Sequence, residues 1–500
     1  MGKKKEIYVE SLGFSTTQVT GSCWAIQYTK DDGEEVTQVI ECGLPQGDKT
    51  ILESYNSMKR MADSIKGGGF IENCKNVFVL HSHVPVDHTG LLPIFNERNG
   101  FNGTIYASKP TIEITKELLK DCCFIHKKNI EYLKARGKKR ELIYNEVDLY
   151  NCFEHMKYMP VNEVVEIDSN FKVEFRHNSH VVGSCNATFY IKEYKQNRWK
   201  TVVYSSDMGS QINYKYTPYL KEQDIPTKCN LFISEATYSN NSREMTSKMA
   251  KEDRKELLNI IKEGLLNGRR ILLPVFAFSK AQTMTTFLVE NLQKEEWFMD
   301  GGFEIVMDGL LMNNINSVYS RVLEGEDKER FDKVMDFDRL RIIKEYPQTI
   351  EFLKEHKPSI ILASSGFLEN GKISVYLPYI VGNSKDVIVI NGYCSQDCEG
   401  SIANKLLNEK QKTITFNMEG EKRTVYKKCK IHQQKSWSSH ISNKELKELF
   451  ASIDCDKILI HHCDEENKEQ FITECREFLR SKNKTTPITA VSKCATRFKL

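Results

Sequence analysis

Short apolar runs alternate with helix-like stretches along most of the chain. This alternation limits the folds that the chain can adopt more than any other feature of the sequence. Runs typical of buried strands occur at 76–80 (NVFVL), 201–206 (TVVYSS), 231–234 (LFIS), 269–276 (RRILLPVF), 359–365 (SIILASS), 386–392 (DVIVING) and 457–462 (KILIHH). Between them, residues 247–268 and 442–453 carry apolar side chains at helical spacing. Strands and helices that alternate in this way build layered structures with buried sheets. We therefore predict an α/β fold.

Several of the predicted strands end beside side chains that can bind a metal ion. These side chains are His81, His83, Asp87, His88, His177, His180, Asp207, His461 and His462. In α/β proteins, ligands gather at the carboxyl ends of strands, so the recurrence favours one site assembled from several loops. Imidazole and carboxylate groups are ligands for zinc and similar divalent metals. The sequence offers more ligand groups than a single zinc ion can bind. This number favours a pair of ions that share a carboxylate.

The residues around this cluster resemble, in order and through nearly the whole chain, the motifs of the β-CASP family. That family consists of RNA-processing nucleases with the metallo-β-lactamase fold. The segment SHVPVDHTGLLP (82–93) resembles its HxHxDH signature. The other matching segments are VTGSC (19–23), ECGLPQG (41–47), HNSHVVGS (177–184), YSSDMG (204–209), ISEATYSN (233–240), LLPVFAFSKAQ (272–282), ASSGFLENGK (363–372), WSSHISNKEL (437–446) and KILIHHCDE (457–465).

This resemblance implies a fold and a domain order. The expected fold is a metallo-β-lactamase αββα sandwich with an inserted α/β β-CASP domain. The sandwich would come from residues 1–239 and 396–500, and the insertion from 240–395.

The resemblance also implies a set of functional residues. The metal ligands would be His83, Asp87, His88, His180, Asp207 and His461, with Asp207 shared between two metal positions. The catalytic residues would be Asp87, Asp207, Glu235 and His440, with His440 as the general acid and Glu235 as the residue that orients it. Lys280, Ser365 and Gly366 of the insertion would bind substrate. The implied cofactor is zinc, as one or two ions per chain, with manganese as an alternative.

Two positions depart from the family pattern in ways that concern the metal. Pro85 stands where the signature has its second histidine, and proline has no donor atom in its side chain. The first metal position would then keep only His83, His180 and Asp207. In an alternative alignment with a gap, His81 and His83 form the HxH pair instead. Glu41 stands where the family has an aspartate that orients ligands.

Three functions remain compatible with these residues. The first is a metal-dependent ribonuclease that acts on single-stranded RNA, either as a monomer or as a homodimer. The second is a family member that binds RNA or a protein without cutting, which Pro85 favours. The third is a metallohydrolase for small esters, against which the inserted motifs count. The segment GFLENGKI (366–373) begins like a P-loop, but Ile373 occupies the magnesium-binding Ser/Thr position, so we do not expect a nucleotide site.

Charge and composition limit the partners further. The net charge is only +3, so an anionic partner must contact local patches. The helical stretch 109–155 is rich in lysine and arginine, which indicates either a solvated helix face or a phosphate-contacting patch. No apolar run is long enough for a membrane span, and no signal peptide is evident. Fifteen cysteines without a CxxC pair suggest free thiols in a reducing compartment, so we expect a cytoplasmic protein without a membrane partner.

Overall fold

The computed structural model describes residues 6–13, 19–45, 50–81, 87–240, 245–391, 401–418, 421–491 and 496–500. His83 and Pro85, on which two of the sequence predictions depend, lie outside these residues. The chain divides into two compact units. The core unit comprises Met1–Tyr214, Leu220–Glu244 and Ser439–Leu500, and the inserted unit comprises Lys215–Tyr219 and Met245–Ser438.

The core unit contains a first sheet whose described part has seven strands. Their order is Thr496–Lys499, Tyr8–Ser11, Trp24–Thr29, Glu35–Ile40, Cys74–Val79, Thr104–Ala107 and Met156–Tyr158. The pairs up to Glu35–Ile40 are antiparallel, and the remaining pairs are parallel. The parallel arrangement places the carboxyl end of Cys74–Val79 at one edge of the sheet, directly before the first histidines of the chain.

A second sheet of the core unit also has seven described strands. Their order is Ile488–Ala490, Asp454–His461, Lys228–Glu235, Trp199–Tyr204, Cys185–Lys192, Phe171–His177 and Val164–Asp168. The first four of these are parallel to one another, and Glu235 pairs directly with His461. The carboxyl ends of three parallel strands therefore meet at one edge, where Asp207, Glu235 and His461 or His462 follow.

The two sheets pack face to face, because strands in both bury alternate side chains between them. In Cys74–Val79, Phe78 lies in the core between the sheets, while Val77 and Val79 lie in the core beneath a layer of helices. This alternation follows from the two-residue period of a strand. The helices on the outer face of the second sheet cover Phe232 and Ile460. The core unit is thus an αββα sandwich, and the predicted fold is confirmed.

The helices of the core unit form the two outer layers. Their bounds are Ile51–Lys66, Phe70–Asn73, Lys109–Ala135, Glu146–Glu154 and Gln211–Tyr214, then Asn443–Ser452 and Glu465–Ser481, with 3-10 turns at Gly67–Gly69, Leu92–Ile94 and Glu97–Asn99. The predicted helix at 442–453 is observed as Asn443–Ser452. Ser442 caps its N-terminus: the Ser442 side chain accepts a hydrogen bond from the Glu445 amide, while the Glu445 carboxylate accepts one from the Ser442 amide. Such a capping box satisfies amides that the first helical turn leaves unpaired.

The inserted unit is built on a parallel sheet with six described strands. Their order is Leu340–Ile343, Glu304–Asp308, Ser359–Ala363, Ile271–Pro274, Val387–Asn391 and Lys430–Gln434. Ile271 and Leu273 face one hydrophobic core, and Leu272 faces another on the opposite side. A parallel sheet buried on both faces needs helices on both sides. Those helices are Ser247–Leu266, Lys280–Leu292, Glu296–Asp300, Leu310–Val322, Gly325–Met335, Tyr346–Glu355, Ile373–Val381 and Ile402–Leu407.

The inserted unit extends further along the chain than the sequence analysis placed it. The prediction ended the insertion at 395, whereas the compact unit continues to Ser438. The reason is a further strand, Lys430–Gln434, which pairs in parallel with Val387–Asn391. A two-stranded hairpin, Thr413–Met418 with Glu421–Tyr426, lies between these strands in the chain. Among the helices described, none is both long and apolar enough to cross a membrane.

Candidate metal centre

The loop that carries Asp87 and His88 is held by the backbone of two other segments. The Ser22 amide donates to the Asp87 carbonyl at 2.9 Å, and the Cys42 amide donates to the His88 carbonyl at 2.9 Å. At Gly43 an added Cβ would lie 1.5 Å from the Asp87 carbonyl oxygen, so only glycine allows this approach. Ser22, Cys42 and Gly43 therefore fix the backbone beside Asp87 and His88.

A buried asparagine links His180 to Asp207. The Asn178 amide nitrogen donates to the carbonyls of Asp207 at 2.8 Å and Ser205 at 3.2 Å. Its side-chain oxygen accepts from the His180 backbone amide at 3.3 Å. The loop that carries His180 is thereby tied to the end of the strand that precedes Asp207. All four residues are buried, so these bonds replace contacts with water that the groups have lost.

Asp207 lies at the centre of a group of four imidazoles. Its Oδ2 atom is 3.2 Å from His88 Nε2, and its Oδ1 atom is 3.3 Å from His462 Nδ1. The Nε2 atoms of His81 and His180 each lie 3.9 Å from Asp207 Oδ2. The five side chains are buried, with at most 1% of any residue exposed.

These side chains form two sets that share Asp207. In one set, donor atoms of Asp87, His88, Asp207 and His462 all lie within 4.8 Å of one another, and in the other those of His81, His180 and Asp207 do so. Zinc is bound in proteins by imidazole nitrogens and carboxylate oxygens of this kind. The described residues therefore fit one divalent cation in each set, with Asp207 between the two positions.

The electrostatics of the cluster favour positive charge beside Asp207. Burial by itself disfavours the charged form of His88, yet the carboxylates of Glu41, Asp207 and Asp87 raise its pKa well above the usual value. Burial would also raise the pKa of Asp207, but the imidazoles of His462 and His88 hold that pKa well below its usual range. A divalent cation supplies the same compensation for these buried carboxylates.

Glu41 orients the imidazole of His88. Its Oε2 atom lies 2.7 Å from His88 Nδ1 and also accepts from the Tyr204 hydroxyl at 2.9 Å. The Glu41 carboxylate accepts a hydrogen bond from the Nδ1–H group of His88, and the ring then directs Nε2 towards Asp207. Partners of this kind set the tautomer of metal-binding histidines.

A second pair, His440 and Glu235, lies beside the cluster. The Nδ1 atom of His440 is 3.3 Å from both carboxylate oxygens of Glu235. Glu235 is completely buried and accepts from the Met208 amide at 2.5 Å and the Thr237 hydroxyl at 2.5 Å. The ring centroid of His440 lies 4.5 Å from that of His180.

The backbone brings His440 to this place from far along the chain. His440 forms an antiparallel bridge with Gly209, and the Ile441 amide donates to the Met208 carbonyl at 2.9 Å. At Gly209 an added Cβ would lie 2.0 Å from the Ser179 carbonyl oxygen, so this approach requires glycine. The segment that follows Asp207 is thus the template on which the His440 loop is placed.

The last predicted ligand, His461, does not lie in the cluster; its neighbour His462 does. The His461 ring packs against Trp24 and Tyr204, with centroid distances of 5.5 and 5.1 Å. Burial and the neighbouring His462 hold the pKa of His461 well below its usual range. The strand phase explains this placement, because Leu459 faces the core between the sheets and His461 points the same way. That apolar alternation was the signal in the sequence that could have distinguished the two histidines.

The structure places the remaining predicted site residues as follows. Asp87, His88, His180 and Asp207 lie together in the cluster, and Glu235 pairs with His440, as described above. His83 lies outside the described residues. His81, a strand-end candidate that was assigned as a family-type ligand only in the alternative alignment, lies within the cluster.

The three predicted substrate-binding residues belong to the inserted unit. Lys280 and Gly366 line one small cavity together with Phe276. The Lys280 ammonium donates to the carbonyl of Trp437, while burial and the nearby Arg254 guanidinium lower the Lys280 pKa to about 7. The hydroxyl of Ser365 donates to the Glu369 carbonyl at 2.6 Å, within the turn that follows Ser359–Ala363.

The helix Lys109–Ala135 carries an exposed face on which aromatic and basic side chains alternate. Phe124 and Tyr132 are 58% and 42% exposed. The Lys128 ammonium lies 5.8 Å from the centroid of the Phe124 ring, and the Arg136 guanidinium lies 3.6 Å from that of Tyr132. Because these residues follow at intervals of four, they form one stripe along the helix. We call this stripe the basic-aromatic face.

Comparison with known proteins identifies relatives along most of the chain. Residues 281–406 match the family model of the Beta-Casp domain. The chain is 25% identical to transcription termination factor FttA of Methanocaldococcus jannaschii over 82% of its own length and 62% of the relative's. It is 26% identical to Integrator complex subunit 11 of Gallus gallus, over 94% of this chain and 70% of that one. It is also 25% identical to endoribonuclease YSH1 of Eremothecium gossypii, of which it spans about half, with 77% of this chain and 48% of that protein aligned.

Proposed function

We propose that this chain, which belongs to the β-CASP family of proteins with the metallo-β-lactamase fold, is a metal-dependent ribonuclease that hydrolyses RNA phosphodiester bonds. One observation carries the proposal. The core unit holds a buried cluster of metal-ligand type around Asp207, and the cluster lies beside a histidine that a buried carboxylate orients. Hydrolysis of a phosphodiester needs both an activated water and a proton donor for the leaving oxygen.

The cluster residues would hold zinc ions, with Asp207 shared between two positions. Asp87, His88, Asp207 and His462 would hold the ion of the second position. When bound, zinc supplies Lewis-acid charge that lowers the pKa of water and offsets negative charge on the phosphate. The protein's part is to keep the imidazoles in the correct tautomer, as Glu41 does for His88.

His440 would deliver the proton that the leaving sugar oxygen needs. Its Nδ1 atom faces the Glu235 carboxylate, so Nε2 is the ring atom that would carry the transferable proton in the charged form of the imidazole. As the bond from phosphorus to the leaving oxygen breaks, the Nε2 proton passes to that oxygen. Glu235 stabilises the charged imidazole before transfer, and its own position is fixed by the Met208 amide.

The relatives and the basic-aromatic face support a proposal for the substrate class. One relative is named an endoribonuclease, which favours RNA as the substrate. Basic side chains that alternate with exposed aromatic rings suit a single strand, whose phosphates and unstacked bases are both accessible. We therefore propose single-stranded RNA as the substrate, with Lys280, Ser365 and Gly366 of the inserted unit among the residues that bind it.

Metal removal tests the proposed function directly. We expect the purified protein to cleave an end-labelled single-stranded RNA, to lose this activity after dialysis against a chelator, and to regain it with zinc or manganese. The same preparation should leave single-stranded DNA of equal sequence uncut. Cleavage that persists in the metal-free protein would exclude the mechanism, since the described residues then act without the ion that the cluster is built to hold.

Charge reversal on the basic-aromatic face tests the choice of RNA. The variant Lys128→Glu/Arg136→Glu should bind single-stranded RNA about tenfold more weakly and lower the salt slope of binding by about two. The control Arg480→Glu/Lys482→Glu makes the same charge change at the end of another core-unit helix, where Lys482 lies 5.5 Å from the ring of Phe478. Equal loss of affinity in both variants would show that the basic-aromatic face has no specific part in binding.

A second function, RNA or protein binding without cleavage, is favoured by one residue, Pro85. Its side chain cannot supply the ligand that the family motif has at this position. The cleavage assay separates the two functions, because a scaffold would bind the labelled RNA at every metal concentration and leave it intact.

A further inference from the structure

We infer that His81 is the ligand that replaces the missing donor at position 85, so that His81, His180 and Asp207 form a rebuilt first metal position. The inference deepens the proposed function and rests on it for the identity of the metal. The family motif places its two histidines at positions 83 and 85 of this chain, and His81 precedes both.

The distances around His81 suit a shared cation. His81 is completely buried, and its Nε2 atom lies 3.9 Å from Asp207 Oδ2, as does that of His180. The rings of His81 and His180 are 5.1 Å apart, centroid to centroid. Two donor atoms on one tetrahedral zinc ion, each at about 2.1 Å, are roughly 3.4 Å apart. Shifts of about half an ångström in the side chains would therefore complete the coordination.

The orientation of the His81 ring is set in the way that metal-binding histidines require. The Ser206 hydroxyl donates its proton to Glu41 Oε1 at 2.5 Å, so its oxygen accepts from His81 Nδ1, which lies 3.2 Å away. The proton of His81 is thereby held on Nδ1, and Nε2 presents its lone pair towards Asp207. A histidine with a purely structural role gains nothing from having this second nitrogen directed at a buried carboxylate that three other imidazoles also approach.

Glu41 connects the two metal positions through this contact. One of its oxygens holds the His88 imidazole at 2.7 Å, and the other holds Ser206, which in turn holds His81. An aspartate, the residue usual for the family at this position, is one methylene shorter and would not span the same two partners without movement of the backbone. The replacements at positions 41 and 85 are thus explained together. Glu41 orients His81 through Ser206, and His81 supplies the donor that Pro85 lacks.

Metal stoichiometry tests the inference with a readout other than catalysis. We expect two zinc ions per chain in the wild type and one in His81→Ala, measured by mass spectrometry of the native protein. In the cobalt-substituted protein, His81→Ala should remove one of two sets of visible absorption bands. The control His126→Ala replaces another buried histidine of the core unit, whose Nε2 accepts from the Ile143 amide at 3.1 Å, and should keep both ions.

Two further variants keep the test decisive if His81→Ala folds poorly. Ser206→Ala keeps the imidazole but removes its orientation, so it should weaken metal binding at one position by 10–100-fold, the range found for such partners. Adding Pro85→His to His81→Ala restores the donor at the position where the motif has it, and should return the second ion.

The outcomes separate this inference from the proposed function. Two ions in His81→Ala, or unchanged affinity in Ser206→Ala, would overturn the role of His81 even if the protein cleaves RNA. A wild type that binds only one ion would overturn it as well, while cleavage with one ion would leave the ribonuclease proposal standing. Loss of one ion in His81→Ala and weaker metal binding in Ser206→Ala, in a protein that cuts no RNA, would support the rebuilt position and refute the proposed function.

Discussion

Replacement of Asp207 by alanine is expected to abolish RNA cleavage, with a loss of at least about a thousandfold, and to lower the zinc content below one ion per chain. Asp207 contributes to both sets of donors and lies within 3.9 Å of four imidazole nitrogens. Without its carboxylate, the first metal position retains only His81 and His180. The second position loses the oxygen that lies nearest to His88 Nε2. The first position then has fewer than the three protein ligands of a catalytic zinc site, and the second keeps three but lacks the shared carboxylate, so zinc binding weakens at both.

The Asp207→Asn variant separates the loss of charge from the loss of volume. Asparagine fills the same space but has one acceptor oxygen and no negative charge, so we expect the same loss of zinc with a smaller change in packing. Asp32→Ala, a change at an exposed turn of the core unit, is the matched control and should keep both metal and activity. A zinc-replete and active Asp207→Ala protein would show that the cluster is not the catalytic centre.

The adjacent histidines His461 and His462 are expected to give opposite results when replaced. His462→Ala should remove one bound ion and reduce cleavage about a hundredfold or more, because His462 lies 3.7 Å from Asp87 and 3.3 Å from Asp207. His461→Leu should keep both ions and near-normal activity. Leucine fills the space between Trp24 and Tyr204 and buries no polar nitrogen, so the melting temperature should stay the same or rise.

His461→Ala provides the complementary control. Its truncated side chain leaves a cavity between the sheets, and we expect a cost of about 1–3 kcal/mol in the free energy of unfolding, with the zinc content unchanged. Denaturant titration and zinc analysis on the same samples measure both quantities. If His461→Leu loses an ion while His462→Ala keeps it, the original sequence prediction is correct and the observed strand phase does not decide the ligand.

The elements of the fold could be predicted from local patterns, because each strand and helix depends on periodicities within a few residues. The apolar run at 76–80 is a strand with Phe78 and Val79 on opposite faces, as a two-residue period requires. The helix prediction for 247–268 is confirmed as Ser247–Leu266. The end of the inserted unit was not predictable in this way, since Lys430–Gln434 joins its sheet through a distant partner, Val387–Asn391.

The candidate site was predictable as a set of residue types but not as a list of residues. By itself, the sequence determined the α/β layering, the resemblance to the β-CASP family, and the clustering of histidine and aspartate at strand ends, because these depend on residue types and their order along the chain. Only the tertiary structure decided that His462 and His81 approach Asp207, while His461 packs between the sheets. The reason is geometric: a shift of one residue along a strand turns a side chain to the opposite face. The histidine that reaches the cluster therefore depends on strand phase and on contacts such as the Glu41–Ser206–His81 chain, which join residues far apart in sequence.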